Sequence, residues 1–261
     1  MKILFIGDIV GKNGRETMAR LLPSLKKKYA IDFVIANGEN ATHGKGMIYN
    51  HYKAFLDMGV DCITLGNHYD AKSEIRDYLD AATSIIRPYN LKKEYPGVGS
   101  SLFESDSFSI RVTNLLGRPF MEEDVANPFD SLQEIIQKEK HADIHIVDFH
   151  GEATGEKQCM GWAFDGLLTA VLGTHTHVQT RDARILPQGT AFISDVGMVG
   201  AYNGVLGDKK EQVIDRVWHD KKTKFDVDDK DDSLFSAVVI DADIESGRAI
   251  DIIPLYIVEK K

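Results

Sequence analysis

Two imidazoles stand one residue apart, His175 and His177, in "GTHTH" after the apolar run "LLTAVLG". Related residues close four other apolar runs: Asp8 in "FIGD", Glu39 and Asn40 in "IANGEN", Asn67 and His68 in "LGNH", and His150 in "VDFH". Carboxylates, carboxamides and imidazoles together are oxygen and nitrogen donors for metal ions. No thiolate accompanies them, which argues against a structural zinc cage. The mixture suits Mn, Fe, Zn or Mg, and the imidazoles favour transition metals, Fe or Mn foremost. Asp8, Glu39, Asn40, Asn67, His150, His175 and His177 are too many ligands for one ion and enough for two. Glu39 sits mid-series and has two oxygens, so it is the natural bridge between ions about 3.5–4 Å apart, an arrangement used for in-line phosphoryl chemistry.

Something must bring these residues to one point. In a strand, side chains at i and i+2 point the same way, which would turn His175 and His177 to one side together. In open α/β sheets, ligands bind beyond the carboxyl ends of strands. Glycines precede Asp8, Glu39 and Asn67, and would let the backbone turn sharply there. Strand-like runs at 2–6, 32–40 and 61–68 alternate with helical patterns at 15–29, 49–59 and 71–82. Met18, Leu21, Leu22 and Leu25 make the apolar face of the first helix, where Pro23 is placed to bend it; Gly59 closes the second. The middle, "SIIRPYN", "GSSLFES" and "SFSIRVTNLLG", reads as antiparallel strands. A helix at 130–140 and a strand at 143–152 follow, then late strands in "TAFISDVGMVG", "LFSAVVIDAD" and "RAIDIIPLYIVE". The sum is an α/β fold with a parallel sheet and a second, mixed or antiparallel sheet, in one domain over 1–261.

Composition sets limits. The chain has 261 residues, 43% of them hydrophobic, enough for a sizeable core. Its net charge of −9 gives no overall pull toward nucleic acid, so strong binding there is not expected. The acidic run "DVDDKDD" reads as a solvated loop. Two cysteines, Cys62 and Cys159, form no disulfide framework and fit a reducing compartment. The start "MKILFIGDIVG" is too short for a signal-peptide core, and no apolar run approaches the roughly 18 residues of a membrane span. A cytoplasmic protein is expected, with room for a homo-oligomer. Glu152 either orients His150 or lies on the surface; Asp195 lines the cleft or caps a turn; His43 and Lys45 touch phosphate or belong to a mobile loop. His51, His141, His145 and His219 are assigned to surface or helix faces.

The ordered blocks "GDIVG", "GEN", "GNH", "FHGE" and "GTHTHVQT" resemble those of the calcineurin-like metallophosphoesterases. More narrowly, "GENATHGKG" and "GTHTHVQTRDARILPQGTAFISDVGMVG" resemble the YmdB-type bacterial branch, and the likeness spans essentially the whole chain. The first block departs from the superfamily's Asp-x-His, reading Asp8, Ile9, Val10; the second has Glu39 and Asn40 where Asp is usual. The resemblance implies an αββα sandwich, a dinuclear site and hydrolysis of 2′,3′-cyclic nucleotides, with effects on RNA turnover and bacterial community behaviour. It implies that Asp8, Glu39, Asn40 and His177 hold one metal, and Glu39, Asn67, His150 and His175 the other, with His68 as general acid. A carboxamide in place of an imidazole makes the first site harder and weaker.

The chemistry agrees with that assignment. Two cations neutralise a phosphodiester and lower the pKa of a bridging water, so that hydroxide is available near neutral pH. The departing ribose oxygen needs a proton, which an imidazolium at His68 can supply. Two other readings remain. A phosphomonoesterase or nucleotidase could use the same metals, and cyclic diesters tested against monoesters separate the two. A metal-stabilised, non-catalytic regulator of RNA turnover would not need the intact His68.

Overall fold

The alternation of apolar side chains along the first strand already dictates layers. In β1 (Lys2–Ile6), Ile3 and Phe5 point to one core and Leu4 and Ile6 to another. The computed structural model describes residues 1–260. β1 runs into the two-residue β2 (Asp8–Ile9), followed by α1 (Gly11–Tyr29), β3 (Phe33–Asn37), α2 (Tyr49–Asp57), β4 (Cys62–Thr64), α3 (Ile75–Tyr78) and β5 (Ile85–Ile86). The hairpin β6 (Ser100–Glu104) and β7 (Ser109–Leu116) precedes α4 (Pro128–Lys138), β8 (Ile144–His150), α5 (Thr154–Ala163) and β9 (Ala170–Thr174). Then come β10 (Arg184–Ile185), β11 (Ala191–Ile193), β12 (Met198–Ala201), α6 (Lys210–His219), β13 (Ser233–Ala242) and β14 (Ala249–Glu259).

The strands form two sheets. The first has the order β2-β12-β13-β1-β3-β4-β5, with β14 on the other side of β13. β1, β3, β4 and β5 are parallel, and β13 runs antiparallel to β1. The second has the order β10-β11-β9-β8-β7-β6, parallel in its centre with antiparallel edges. Between the sheets lie Ile3, Phe5, Ile35, Cys62, Ile146 and Leu172. Met18 and Leu22 of α1 and Phe55 of α2 cover the outer face of the first sheet. Leu132 of α4 and Met160 of α5 cover the second. This is the αββα sandwich, and burying each such side chain contributes about 1.5–3 kcal/mol.

Several expectations need correction. The helix expected over 71–82 is one turn, α3, because only Ile75, Tyr78 and Leu79 carry its apolar spacing. The expected antiparallel middle holds for β6 and β7, but β5 pairs parallel to β4 and β7 parallel to β8. α5 and α6 carry no prediction at all. The acidic run is not merely a solvated loop: Asp229 accepts from the N–H groups of Lys12 (3.0 Å) and Asn13 (3.1 Å). Val10 at the start of α1 offers no capping oxygen, so a carboxylate from far along the chain satisfies those exposed donors. His145 is not a surface residue either; it is partly buried on β8, with Nε2 2.9 Å from Thr113 Oγ1.

Candidate metal centre

The two sheets meet the cleft at the carboxyl ends of β3, β4, β8 and β9. Along β8, Ile144 and Ile146 face the inter-sheet core, and the same face continues through Asp148 to His150. Apolar side chains thus give way to polar ones as the strands approach the cleft. Asp148 is fully buried. Its Oδ1 accepts from Thr174 Oγ1 at 2.6 Å, and its Oδ2 from Asn37 Nδ2 at 3.0 Å and from the Thr64 hydroxyl. One carboxylate therefore ties β8 and β9 of one sheet to β3 and β4 of the other.

That network sets the tautomer of His150. Thr174 gives its hydroxyl hydrogen to Asp148, so Thr174 Oγ1 accepts from His150 Nδ1 at 2.8 Å. In the neutral ring Nε2 is then a bare lone pair. It faces Asn67 Oδ1 at 3.0 Å, His175 Nδ1 at 3.1 Å and Glu39 Oε2 at 3.3 Å. A convergence of lone pairs needs positive charge at its centre, either a second ring proton or a cation. The proton's side of that balance is visible: burial opposes charging His150, but Glu39, Asp8 and Asp148 outweigh it and push its pKa up to about 9. Burial and the neighbouring His150 push His175 down to about 3. Burial lifts Asp8, and lifts Asp148 to about 6. Burial also acts upward on Glu39, but His150 and His68 prevail and hold it well below the usual carboxylate range.

Glu39 divides its two oxygens between two groups of residues. Oε2 looks toward His150, while Oε1 accepts from Asn40 Nδ2 at 3.0 Å and lies 3.3 Å from His68 Nδ1. On the Oε1 side, Asn40 Nδ2 is also 3.0 Å from His177 Nε2, and His177 Nδ1 donates to Leu206 O at 2.9 Å. The amide nitrogen of Asn40 thus stands between two acceptors that a cation would equally satisfy. His68 Nδ1 lies 2.7 Å from Asn40 Oδ1, and among the described residues its Nε2 has no hydrogen-bond partner.

Every expected site residue gathers here, though not always for the expected reason. β9 stops at Thr174, so His175 and His177 are not strand residues; both have left-handed backbone, with φ of 104° and 65°. Their convergence comes from a strained loop and not from strand alternation. Nor do Gly7, Gly38 and Gly66 serve sharp turns, since none has a positive φ. They serve close approach: a Cβ on Gly7 would lie 2.0 Å from Gly197 O, and one on Gly66 2.2 Å from Glu39 Oε2. Glu152 pairs with His175 Nε2 at 3.1 Å and not with His150. Asp195 neither lines the cleft nor simply caps a turn; it is buried against Lys157. Asp148, Thr174, Asn37, Thr64 and Lys157 escaped the sequence reading. For Asp148 the available signal was a carboxylate inside the apolar run "HIVDF", two residues from His150.

The donor set fits metal. Ligand atoms of Glu39, His150 and His175 lie within 4.8 Å of one another. Asp8 is wholly buried, and its Oδ1 has no hydrogen-bond partner, although Oδ2 accepts from His175 N at 3.1 Å. A buried carboxylate oxygen left without a donor is costly unless a cation meets it. The centre opens into a cleft of about 280 Å³ lined also by Val10, Lys45, Leu206 and Asp208.

The sequence profile of YmdB-like proteins matches residues 4–255. This chain belongs to the YmdB-like family. It is 44% identical over 253 residues to a 2′,3′-cyclic-nucleotide 2′-phosphodiesterase of Bacillus subtilis strain 168, covering 97% of this chain and 95% of that protein. A crystal structure of a phosphatase from Mycoplasma pneumoniae superposes with a TM-score of 0.94 at 39% identity, covering 100% of this chain and 94% of that one. The Haemophilus influenzae NAD nucleotidase shares the fold alone, with a TM-score of 0.53 at 15% identity over 99% of this chain and 56% of that one. The fold of this YmdB-like chain is that of the calcineurin-like metallophosphoesterases.

Proposed function

We propose that this chain is a phosphodiesterase that hydrolyses 2′,3′-cyclic nucleotides at a centre of two metal ions, iron or manganese. The observation that carries the reading is Glu39, whose Oε1 faces Asn40 and the His68 ring while its Oε2 faces His150 and the His68 backbone N–H. The Bacillus relative, similar over nearly its whole length, supports the substrate class. Asp8, Glu39, Asn40 and His177 would hold one ion, and Glu39, Asn67, His150 and His175 the other. Imidazoles suit iron, and the carboxylate and carboxamide oxygens suit manganese. Such ions would supply positive charge against the phosphodiester and would lower the pKa of bound water.

The chain's own residues do the rest. Thr174 and Leu206 O fix the ring tautomers of His150 and His177, so that each turns an Nε2 lone pair inward. His68 is clamped by Glu39 and Asn40, with Nε2 left to give its proton to the departing ribose oxygen. No described helix is long and apolar enough to cross a membrane.

The test is metal analysis of protein purified without chelators, followed by a panel of 2′,3′-cyclic nucleotides, 3′,5′-cyclic nucleotides and nucleoside monophosphates. Two ions per chain and preferential turnover of the 2′,3′-cyclic diesters are expected. Glu39→Gln is expected to lose both ions. A metal-loaded protein that cleaves only monoesters would overturn the substrate, and one that keeps both ions in Glu39→Gln would overturn the bridge.

A further inference from the structure

Lys157 of α5 is a buried cation with one anionic partner: its side chain is 2% exposed, and Nζ lies 2.8 Å from Asp195 Oδ2, itself on a side chain 1% exposed. Its stem runs over Gly173, where a Cβ would stand 2.9 Å from Lys157 Cδ. The same oxygen of Asp195 accepts from Thr176 N at 3.0 Å and from Thr176 Oγ1 at 2.8 Å. Oδ1 accepts from Gly197 N at 2.8 Å, and the main chain of Asp195 exchanges hydrogen bonds with Thr180 at 2.9 and 3.0 Å. Thr176 is the residue between His175 and His177.

Stability does not explain this pair. Removing two charges from water costs more than their attraction commonly returns, and apolar replacements of such pairs are often neutral or stabilising. The loop it grips is where an explanation is needed. Two left-handed non-glycine residues, one on each side of Thr176, persist only where the surroundings over-determine them. With Thr176 pinned from below, His175 turns toward His150 and Glu152, and His177 toward Asn40 and Leu206.

We propose that the Lys157–Asp195 pair is a positioning device: by holding Thr176 it sends the flanking imidazoles to different halves of the metal centre. Lys157 and Asp195 are positioning residues that touch neither substrate nor metal. The inference rests on the metal-centre reading above.

The test compares Mn²⁺ and Fe²⁺ affinity, by chelator competition, with the unfolding temperature of the metal-free protein. The double variant Lys157→Met/Asp195→Asn removes both charges and strands neither. It is expected to bind metal about 10–100-fold more weakly, the usual effect of losing a partner behind a ligand, while its metal-free unfolding temperature stays near that of the wild type. A double variant with wild-type metal affinity and a lowered unfolding temperature would make the pair a structural staple and overturn the proposal. If the double variant does not fold, Thr176→Val decides: about 10-fold weaker metal binding supports the device, and unchanged binding overturns it. A wild-type chain that takes up neither metal overturns the metal centre itself, and this inference with it.

Discussion

Glu39 holds His68 at two points: Oε2 accepts from the His68 backbone N–H at 3.0 Å, and Oε1 lies 3.3 Å from ring Nδ1. The ring is aimed without being consumed, since Nε2 remains free of partners among the described residues. His68→Ala is therefore expected to leave metal content intact and to slow turnover of cyclic phosphates by roughly 10²–10⁴-fold. Metal analysis and kinetics on the same preparation check it. Loss of metal in parallel with activity would make His68 a ligand and end its role as acid.

Gly66 gives a steric prediction. A Cβ there would lie 2.2 Å from Glu39 Oε2 and 2.4 Å from His150 Nε2. Gly66→Ala should displace both side chains and lower turnover by about 10²-fold, the scale of a misplacement near 1 Å. Far-UV circular dichroism should be unchanged. Wild-type kinetics in this variant would mean that the two side chains do not approach as closely as the structure shows.

Thr174 tests the tautomer argument. Valine has nearly the same shape but cannot link His150 Nδ1 to Asp148. Thr174→Val is expected to weaken metal binding about 10–100-fold, and Thr174→Ser to restore most of it. Equal metal affinity in the valine and serine variants would count against the relay.

His145 gives a prediction away from the cleft. Burial, with help from Arg111 and His141, pushes its pKa from 6.5 down to about 3. Between those values the unfolded chain binds a proton that the folded chain does not, so its contribution is whole above pH 6.5 and is lost as pH falls. At pH 5 the loss is about 1–2 kcal/mol relative to pH 7. Denaturant unfolding of wild type and His145→Gln at both pH values reads it out. The variant should lose less stability on acidification, and parallel losses would refute the assignment.

The donor residues were legible because each follows an apolar run short enough to be a strand, with Asp8, Glu39 and Asn67 each preceded by glycine. The layers were legible because apolar residues fill both faces of β1 and β3. What stayed hidden was long-range or conformational. Nothing in "THTH" announces left-handed backbone, since neither position is glycine. α6 has no buried residue and so no apolar stripe to find, while α5 carries glycines at 155 and 161. Lys157 drew no notice and Asp195 suggested only a cleft lining or a turn cap, because an ion pair across 38 positions leaves no local trace.

β13 has a consequence for the life of the chain on the ribosome. Its one edge is shared by β12 and β1 and its other is taken by β14, so the first strand made waits for Ser233–Ala242 before its antiparallel partner exists. Pairing across 239 positions, as between Lys2 and Asp241, belongs to the slow, non-local class of folding events. Asp8 and Glu39 emerge early, but the edge of β1 beside them stays unpaired until translation is almost finished. Until β13 arrives, that edge is a row of unpaired N–H and C=O groups open to pairing with another chain.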